Sequence, residues 1–465
     1  MPTPVASPQS VTTGQSTAVS IDPTIGARGG PFTSVSIVTP PNPATGTAAV
    51  QGLKIVFTPA VTFTGSTTFT FALSNATATS APALITVRVQ GRTDPSKDAD
   101  VNALVTAMTD ATERFIGTQM TNLGDRMGSL HGGDGGTGGN GAGLSITVNG
   151  HSLATLTSDS ARELMVRTFG SAYDGATAAT PSLAPNGAAS RVGVWADATF
   201  GAGSHNGTPS RTGLNFGETE VSAGVDFRAN DRFTFGISGG YAHDANDLIS
   251  GRDQGTRQYA SDVALYGTLR VGQSGFVDAL IGWGRIHFDT RRFDPNTFAT
   301  ARGSRDGDDA FASITTGQRF RVGKFSLEPY AGLTADEANL RAFTETGAGI
   351  GDLTYGDQAI REVSAVAGLR ADAHYATRIG IVAPHLDLEY GRRLSATSVG
   401  PVWYADRPDT VFNIPAHQIG SQPLTLGAGT TLRLPSGWLF YVDYRSIIDR
   451  DAVRHLLQLQ LSTKL

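Results

Sequence analysis

Three patterns in this sequence are candidates for cofactor binding, metal binding or catalysis. The first is a glycine-rich segment. Residues 136–141, Gly-Thr-Gly-Gly-Asn-Gly, satisfy the G-x-G-x-x-G pattern, but a dinucleotide site requires it between a strand and a helix. Here the pattern follows a predicted helix, and the sequence contains no G-K-S/T of a phosphate-binding loop. We therefore interpret these residues as a linker and predict no cofactor.

The histidines are the second group. Nine of them are spread from His131 to His455, and no H-x₃-H pair occurs. A metal site needs two or more ligands that converge on one ion. His385 alternates with Asp387 and Glu389 along a predicted strand, but the interior face of a water-filled barrel would be polar in any case. We predict no metal site.

Serine hydrolase chemistry is the third candidate. It requires a nucleophile on a sharp turn flanked by glycine, with His and Asp nearby. The sequence contains no G-x-S-x-G, and residues 1–92 contain no His at all. We therefore predict no catalytic residue in this chain.

From about Arg191 to Leu465 the sequence repeats one pattern of predicted strands and connections. Amphipathic strands of roughly ten residues alternate with connections that are short, then long, then short again. Outer-membrane barrels have tight turns at one end and long loops at the other, whereas a soluble sandwich has no reason to lengthen every second connection. The short connections lie near 229–232, 322–324, 375–378 and 435–437, and the long polar ones at 201–215, 290–308 and 395–422.

The alternation predicts twelve antiparallel strands that form a transmembrane β-barrel. An even number returns the chain to the end where the first strand began. The predicted strands lie near 192–200, 216–228, 232–243, 257–270, 276–289, 309–321, 325–341, 359–373, 379–394, 423–434, 438–446 and 452–464.

Each strand should present an apolar face to lipid and a polar face to the lumen. In the ninth strand, Leu386, Leu388 and Tyr390 alternate with charged residues, and a charge in hydrocarbon costs ~2–4 kcal/mol near the midplane. The residues predicted to face the lumen are Asp262, Asp278, Glu328, Arg370, Asp372, His385, Asp387, Glu389, Asp443 and Arg445. The aromatic residues predicted to lie at the membrane interface are Trp195, Trp283, Tyr390, Trp438 and Tyr444.

Composition agrees with this architecture. Hydrophobic residues make up only 39 % of the chain, and no run approaches the ~20 apolar residues of a membrane helix. A net charge of -5 and the absence of Lys/Arg clusters argue against a nucleic-acid partner. The chain has no Cys, which excludes disulfides and thiolate metal sites. Its first residues show no Sec signal, so we expect either a longer gene product or a misplaced start site.

The part before the barrel divides in two. Residues 1–92 carry short period-2 patterns between Pro, Gly and Asn, which predict a small β-sandwich. Residues 93–190 are predicted to form a linker with an amphipathic helix at 98–130, capped by Ser96 or Asp98. A glycine-rich joint, a strand-like piece at Leu144–Val148 and a second helical stretch from Ser158 to about Gly170 follow.

Residues 57–89 resemble bacterial immunoglobulin-like or cadherin-like surface modules. Calcium-binding relatives place several carboxylates at module junctions, but only Asp22 and Asp94 lie within or beside this one. We therefore predict an Ig-like module without a calcium site.

Segments across 191–465 resemble, in order, the translocator domain of the autotransporter (type V secretion) family. They include VSAGVDFRANDRFTFGISGGYAHD at 221–244, FVDALIGWGRIHFDTRR at 276–292 and the final hairpin from Gly437. The resemblance implies a twelve-stranded barrel in the outer membrane, assembled by the barrel-assembly machinery and threaded by a helix. Closure of the barrel by one chain favours a monomer. Members usually end in Phe or Trp, whereas this chain ends in Leu465 and has Gln460 where Gly is common.

The resemblance leaves open which segment fills the pore. The family pattern favours residues just before the first strand, hence roughly Ser158–Ala172. The helix at 98–130 is longer, but its Met, Phe and Leu stripe should sit badly in a polar lumen, so we expect it to pack outside the pore or against a partner helix. Some members cut their own chain inside the pore; Asp278, Glu328 and Asp387 could serve, but we assign no such role.

The sequence thus predicts a device for secretion and display. The barrel would anchor in outer-membrane lipid and carry an Ig-like passenger, whose surface ligand is unknown, to the cell surface for adhesion. Two alternatives remain: an outer-membrane channel for small solutes, and the C-terminal part of a longer secreted hydrolase.

Overall fold

The computed structural model describes residues 1–131, 144–148, 151–156, 191–416, 422–450 and 452–464. An N-terminal β-sandwich leads through one long helix to a closed antiparallel barrel. Between helix and barrel, β8 (Leu144–Val148) pairs with β9 (His151–Leu156), which confirms the predicted strand at 144–148. Among the described residues, no helix has the length and low polarity needed to cross a membrane. The predicted helical stretch at 158–170 lies outside the described residues.

The N-terminal module packs two sheets face to face. One has the order β1-β7-β6-β3 and the other β2-β5-β4. Alternation puts Ile85, Val87 and Val89 on the buried face, and Phe57 stacks on Phe69 across the core with ring centroids 5.9 Å apart. The strands are β1 (Gln9–Gly14), β2 (Val19–Ile21), β3 (Ser34–Thr39), β4 (Gly46–Gln51), β5 (Lys54–Pro59), β6 (Gly65–Ser74) and β7 (Ala83–Gln90).

The helix α1 (Ala99–His131) contains 33 residues and is therefore about 50 Å long at ~1.5 Å per residue. Asp98 caps it, since its carboxylate accepts hydrogen bonds from the backbone N–H groups of Asp100 (2.8 Å) and Val101 (3.3 Å). Of the two predicted caps, Asp98 is the one used. Buried residues occur all round the helix, so it lies inside a protein environment rather than on a surface.

Twelve long strands close into the barrel, which confirms the predicted count. Each pairs antiparallel with the next, and the first pairs with the last from Gly193↔Lys464 to His205↔Ala452. Short extensions, β16 (Phe320–Val322) and β21 (Tyr375–Ala376), adjoin the turns. The long strands are β10 (Val192–His205), β11 (Leu214–Arg228), β12 (Phe233–Leu248), β13 (Gly255–Val271), β14 (Gly275–Asp294), β15 (Ala299–Gln318), β17 (Phe325–Leu340), β20 (Gln358–Ala373), β22 (Ile381–Tyr404), β24 (Leu424–Arg433), β25 (Leu439–Ile448) and β26 (Ala452–Lys464).

The predicted long loops are partly wrong. Residues 290–308 were expected to be a loop, but β14 continues to Asp294 and β15 starts at Ala299. Likewise β22 runs on to Tyr404. The extensions of β14 and β15 are mostly polar on their outer face, which removes the alternation that marks a lipid-facing strand. Strand pairing still satisfies their backbone groups, so the ladder continues beyond the apolar zone.

β14 shows where that zone ends. Its outward residues Ile281 and Trp283 are exposed on the barrel wall, and the next outward residues are Arg285, His287 and Asp289. The apolar outward band therefore occupies the short-turn part of the barrel, and a charged outer wall lies at the long-connection end.

Beyond that charged wall, small strands extend the long connections. β18 (Phe343–Thr344) pairs with β19 (Leu353–Tyr355), which also pairs with the upper part of β22. β23 (Phe412–Pro415) pairs with β22 from Val399↔Pro415 to Val402↔Phe412. The Ig-like module contacts this structure next to its own last strand.

The contact is made by few polar groups. Arg92 forms a bidentate ion pair with Asp406 at 2.5 and 2.7 Å, and its guanidinium lies 4.8 Å from the centroid of the Tyr404 ring. The Tyr404 hydroxyl donates to the carbonyl of Thr93 (2.8 Å). Ion pairing with Arg92 holds the pKa of Asp406 below its ordinary value of 3.8.

The core of the module can be tested with Phe71→Ala. Phe71 is fully buried between the sheets, so the substitution should lower the free energy of unfolding of the module by about 3–5 kcal/mol. Pulse proteolysis of the full chain in urea would measure the change. Leu84→Ala, at a position 43 % exposed in the same sheet, should change it by less than about 1 kcal/mol; equal losses in both variants would contradict this packing.

The contact between module and barrel should depend on pH. The pKa of Asp406 is lower in the folded chain than its ordinary value of 3.8. The ion pair with Arg92 therefore stabilises the contact between module and barrel fully above pH 3.8. This stabilisation is lost as pH falls through the lowered pKa. Proteolysis at 91–98 should therefore speed up below pH 3.8. Asp406→Asn should show fast cleavage already at pH 7, without that acid step; an unchanged acid step in the variant would show that another group causes it.

Candidate functional site

The helix α1 runs through the barrel from the long-connection end to the short-turn end. Near its start, the Asn102 amide donates to the carbonyl of Ser210 (2.8 Å), which belongs to the connection after β10. At its end, the Arg270 guanidinium donates to the carbonyl of Leu130 (2.8 Å), beside the turn after β13. The N-terminal end of α1 therefore lies at the same end of the barrel as the Ig-like module.

This placement corrects the expectation that the helix at 98–130 packs outside the pore. The reasoning failed because the lumen is not polar all round. Inward positions on β13 and β14 include Ala260, Ala264 and Leu280, which are buried against the apolar stripe of α1. That stripe packs mainly on β11 to β15. The preferred segment, Ser158–Ala172, lies outside the described residues.

At the long-connection end, an apolar cluster packs on the first turns of α1. Val101 and Val105 contact a group of fully buried side chains contributed by β19, β22 and β23. Phe343 and Tyr355 stack with ring centroids 4.8 Å apart and an interplanar angle of 3°. The cluster members from the small strands and β22 are Phe343, Leu353, Tyr355, Val402 and Ile414.

Halfway along the helix, Arg114 anchors it to β12. Its guanidinium donates to both carboxylate oxygens of Asp244 at 2.9–3.0 Å and to Asn246 Oδ1 at 2.7 Å. The guanidinium carbon also lies 4.0 Å from the centroid of the Phe216 ring. All of these groups are buried, so the pair is shielded from water and salt.

Nearly two turns before its end, α1 binds the opposite wall. Asp125 accepts hydrogen bonds from Arg370 of β20 (2.8 Å) and from Arg445 of β25 (2.7 Å). The next residue, Arg126, donates to Asp226 Oδ1 on β11 (2.8 Å from Nε). Two adjacent helix residues of opposite charge thus form ion pairs with different strands of the barrel.

The last helical residue closes the contact at the short-turn end. His131 Nε2 lies 2.9 Å from both carboxylate oxygens of Asp278, and Nδ1 lies 3.5 Å from Glu328 Oε1. Its ring stacks on Phe276 with a centroid separation of 3.8 Å. A charged ring would bridge the two carboxylates.

A polar cavity of about 410 Å³ lies beside the helix. Gly117, Thr121 and Gly124 line it from α1, and a Cβ on either glycine would have no atom within 4 Å. The wall opposite carries Asp336, Glu362, Glu389, Arg393 and Arg454. The helix is thus off-centre, since it packs on one half of the wall and leaves space at the other.

The ten residues predicted to face the lumen all have inward positions. Eight are buried, Arg370 contacts Asp125 of the helix, and Glu389 lines the cavity. Asp262 stands apart, since neither of its carboxylate oxygens accepts a hydrogen bond from a described residue. The eight buried residues are Asp262, Asp278, Glu328, Asp372, His385, Asp387, Asp443 and Arg445.

One of the predicted interface aromatics is wrong. Trp195 points into the barrel, where its indole N–H donates to the Tyr266 hydroxyl (2.7 Å). Inward and outward positions alternate with period 2, and the small flanking residues of β10 did not distinguish the two faces. Trp283, Tyr390 and Tyr444 are exposed on the outer wall, and Trp438 is half-buried beside a short turn.

Sequence reasoning missed the charged residues of α1. Arg114, Asp125 and Arg126 look like the solvated face of an amphipathic helix, and nothing local marks them as buried. Their partners Asp226 and Asp244 do carry a signal, because each occupies the inward phase of its strand.

A single group of three in the described part of the chain could hold a metal ion. His385, Asp387 and Asp443 each offer one donor atom, and these atoms lie within 4.8 Å of one another. All three side chains are buried.

Removing the shared anion of the arginine pair tests the anchoring of the helix. Asp125→Ala leaves Arg370 and Arg445 without this partner, and breaking a buried ion pair in this way costs about 3–5 kcal/mol. The concentration of guanidinium chloride at which half of the barrel is unfolded should therefore fall. The difference in electrophoretic mobility between folded and unfolded barrel measures it.

The matched control is Asp308→Ala, which breaks an exposed pair with Arg341 on the outer wall. Such pairs are worth about 0–1 kcal/mol, so the midpoint should barely move. If both variants shifted the midpoint equally, α1 would not be held by Asp125.

Comparison with known proteins agrees with this geometry. A family model described as the autotransporter beta-domain matches residues 194–445, more than half of the chain, and one described as a bacterial Ig domain matches residues 2–88. Domains of both kinds are in general non-catalytic. No curated protein matches the sequence.

Solved structures with a similar arrangement include translocator domains. The translocator domain of NalP from Neisseria meningitidis is 15 % identical, with 66 % of this chain and 97 % of that chain covered and a TM-score of 0.48. The beta domain of the Bordetella autotransporter Brka is 14 % identical, with 59 % and 100 % covered and a TM-score of 0.44. The transport unit of AIDA-I from Escherichia coli is 13 % identical, with 58 % and 90 % covered and a TM-score of 0.39.

The matched family resides in the outer membrane, which agrees with the apolar band on the barrel wall. On the family match, this chain belongs to the autotransporters, as an outer-membrane translocator barrel that carries an N-terminal bacterial Ig domain.

Proposed function

We propose that this chain displays its Ig-like module at the cell surface, where the module acts as an adhesive unit. The observation that carries the proposal is the path of α1. The helix crosses the pore with its N-terminal end at the long-connection end, and the Ig-like module contacts the barrel at that end through Arg92 and Asp406. If the long connections are outside the cell, so is the module.

Two features support that orientation. Long connections face outward in outer-membrane barrels, and the longest here follow β17 and β22 at the module's end. The outer wall at that end also carries charged pairs, such as Arg341 with Asp308 and Arg361 with Glu337, which suit water and not hydrocarbon.

The proposed partners follow from the barrel. Lipid would cover the apolar band, and the barrel-assembly machinery would insert it. A monomer suffices, because β10 pairs with β26 and the described barrel strands have no free edge to offer a second copy. The surface ligand of the module is a partner still to be identified.

We further propose that the chain acts without catalysis. Supporting this, the module has no His, the sequence has no G-x-S-x-G, and display requires only binding and anchoring. The function is therefore tested by locating the module on the cell and not by an enzyme assay.

Cysteine labelling on intact cells gives the sharpest test, because the natural chain has no Cys. Two single variants are made with an added signal peptide: Ser36→Cys, exposed on β3, and Ser436→Cys, exposed in the short turn after β24. A membrane-impermeant maleimide should label the first on intact cells and the second only after the outer membrane is permeabilised.

Protease shaving of cells with an N-terminal tag provides the matched control. The protease should remove the tag from intact cells and leave a resistant barrel fragment in the outer membrane. Labelling of Ser436→Cys alone on intact cells, with the tag protected, would contradict display and favour a channel with a periplasmic module.

A further inference from the structure

We propose that His385, Asp387 and Asp443 form a Zn²⁺ site inside the barrel. The site ties β22 to β25 and lies next to the arginine pair that binds α1. It does not depend on the display proposal.

The backbone brings the three side chains together across an intervening strand. His385 and Asp387 occupy successive inward positions of β22, and Asp443 occupies an inward position of β25. Between them, β24 presents Gly429, which pairs with both His385 and Asp443, and Gly427, which pairs with Asp387. A Cβ at Gly429 would lie 2.7 Å from His385 Cε1 and Nε2, so only glycine lets the imidazole reach across.

The donor spacing suits a tetrahedral ion. Bonds of ~2.0–2.2 Å from Zn²⁺ to His nitrogen and carboxylate oxygen place neighbouring donors about 3.3 Å apart. His385 Nε2 lies 3.0 Å from Asp443 Oδ1 and 3.7 Å from Asp387 Oδ2, which brackets that spacing. Three protein ligands leave the fourth position for water.

The two carboxylates divide their oxygens between the arginines and the histidine. Asp387 Oδ1 accepts from Arg370 Nε (2.7 Å), and Asp443 Oδ2 lies 2.7 Å from Arg445 Nε. The other oxygen of each points to His385 Nε2. Metal-binding carboxylates are commonly held by such outer hydrogen bonds.

Two buried carboxylate oxygens of this group accept no hydrogen bond from a described residue, Oδ2 of Asp387 and Oδ2 of Asp443. Asp387 is more than nine-tenths buried, and its Oδ2 accepts no hydrogen bond from any described residue. If His385 Nε2 carries a proton, it can donate a hydrogen bond to Asp443 Oδ1, which lies 3.0 Å away. Asp387 Oδ2 lies 3.7 Å from the same nitrogen, which is too far for a hydrogen bond. A metal ion between the three atoms would bond both carboxylates.

The local charge also favours a cation. Asp125, Asp387 and Asp443 carry three negative charges against two on Arg370 and Arg445. A neutral His385 therefore leaves the group anionic in a place shielded from water. The mixed nitrogen and oxygen donors favour Zn²⁺ over Ca²⁺ or Mg²⁺, which prefer six or more oxygens.

The experiment is a titration of the purified, chelator-treated full chain, folded in detergent, with ZnCl₂ in a calorimeter. We expect one Zn²⁺ per chain, with the dissociation constant raised at least about tenfold in His385→Gln and in Asp387→Asn. Co²⁺ in place of Zn²⁺ should give the visible absorption of a four-coordinate site. The electrophoretic shift on heating verifies that each variant is folded.

The matched control is His287→Gln. His287 lies on the outer wall, also between two aspartates, 2.7 Å from Asp306 and 3.6 Å from Asp289, but exposed. Zn²⁺ binding should be unchanged in this variant. The proposal is overturned if the natural chain binds no Zn²⁺, or if His287→Gln removes the binding while Asp387→Asn keeps it.

Asp387→Asn separates a metal ligand from a structural residue. Asparagine keeps the shape and an oxygen for Arg370 but loses the charge of a buried ion pair, so the variant is less stable in either case. A purely structural role predicts that Zn²⁺ changes the unfolding midpoint of neither protein. The metal role predicts that Zn²⁺ raises the unfolding midpoint of the natural chain and not that of the variant. Equal midpoint shifts in both would refute the site.

Discussion

Every backbone group that lipid surrounds must find its hydrogen-bond partner within the protein, because hydrocarbon offers none. Closing the sheet through β10 and β26 meets this requirement. Closure in turn fixes the phase of every strand, since alternate side chains must face lipid or lumen. The lumen then receives the polar half of twelve strands, and its contents decide whether the barrel is an open pore or a filled one.

The lumen is filled by α1, and the filling is asymmetric. Apolar side chains of the helix pack on β11 to β15, where small and apolar inward residues make room for them. Burying charges costs several kcal/mol each unless they are paired, and the helix supplies partners through Arg114, Asp125 and Arg126. The wall from β17 to β26 keeps its own charged pairs and a cavity. Ion pairs between helix and wall thus offset part of the cost of burying these charges.

Beyond the apolar band, the outer wall of the barrel faces water and not lipid. Outward side chains meet water, so β14 and β15 can continue with charged outer faces, and β22 also continues past the band. Their inner faces, with the small strands of the long connections, build the apolar cluster on Val101 and Val105. Among the described residues, the Ig-like module contacts this part of the chain through a few polar groups near Arg92.

The sequence by itself determined the twelve strands, the inward phase of residues such as Asp387 and Arg445, and the sandwich at the N-terminus, because period-2 alternation is a local property that burial imposes on each strand. It overestimated the loop at 290–308, because an extended hairpin in water lacks that alternation. Only the tertiary structure decided that α1 fills the pore, that Trp195 points inward, and that His385 reaches Asp443 across Gly429. Each of these depends on which distant strands become neighbours, and ring closure sets that for the chain as a whole.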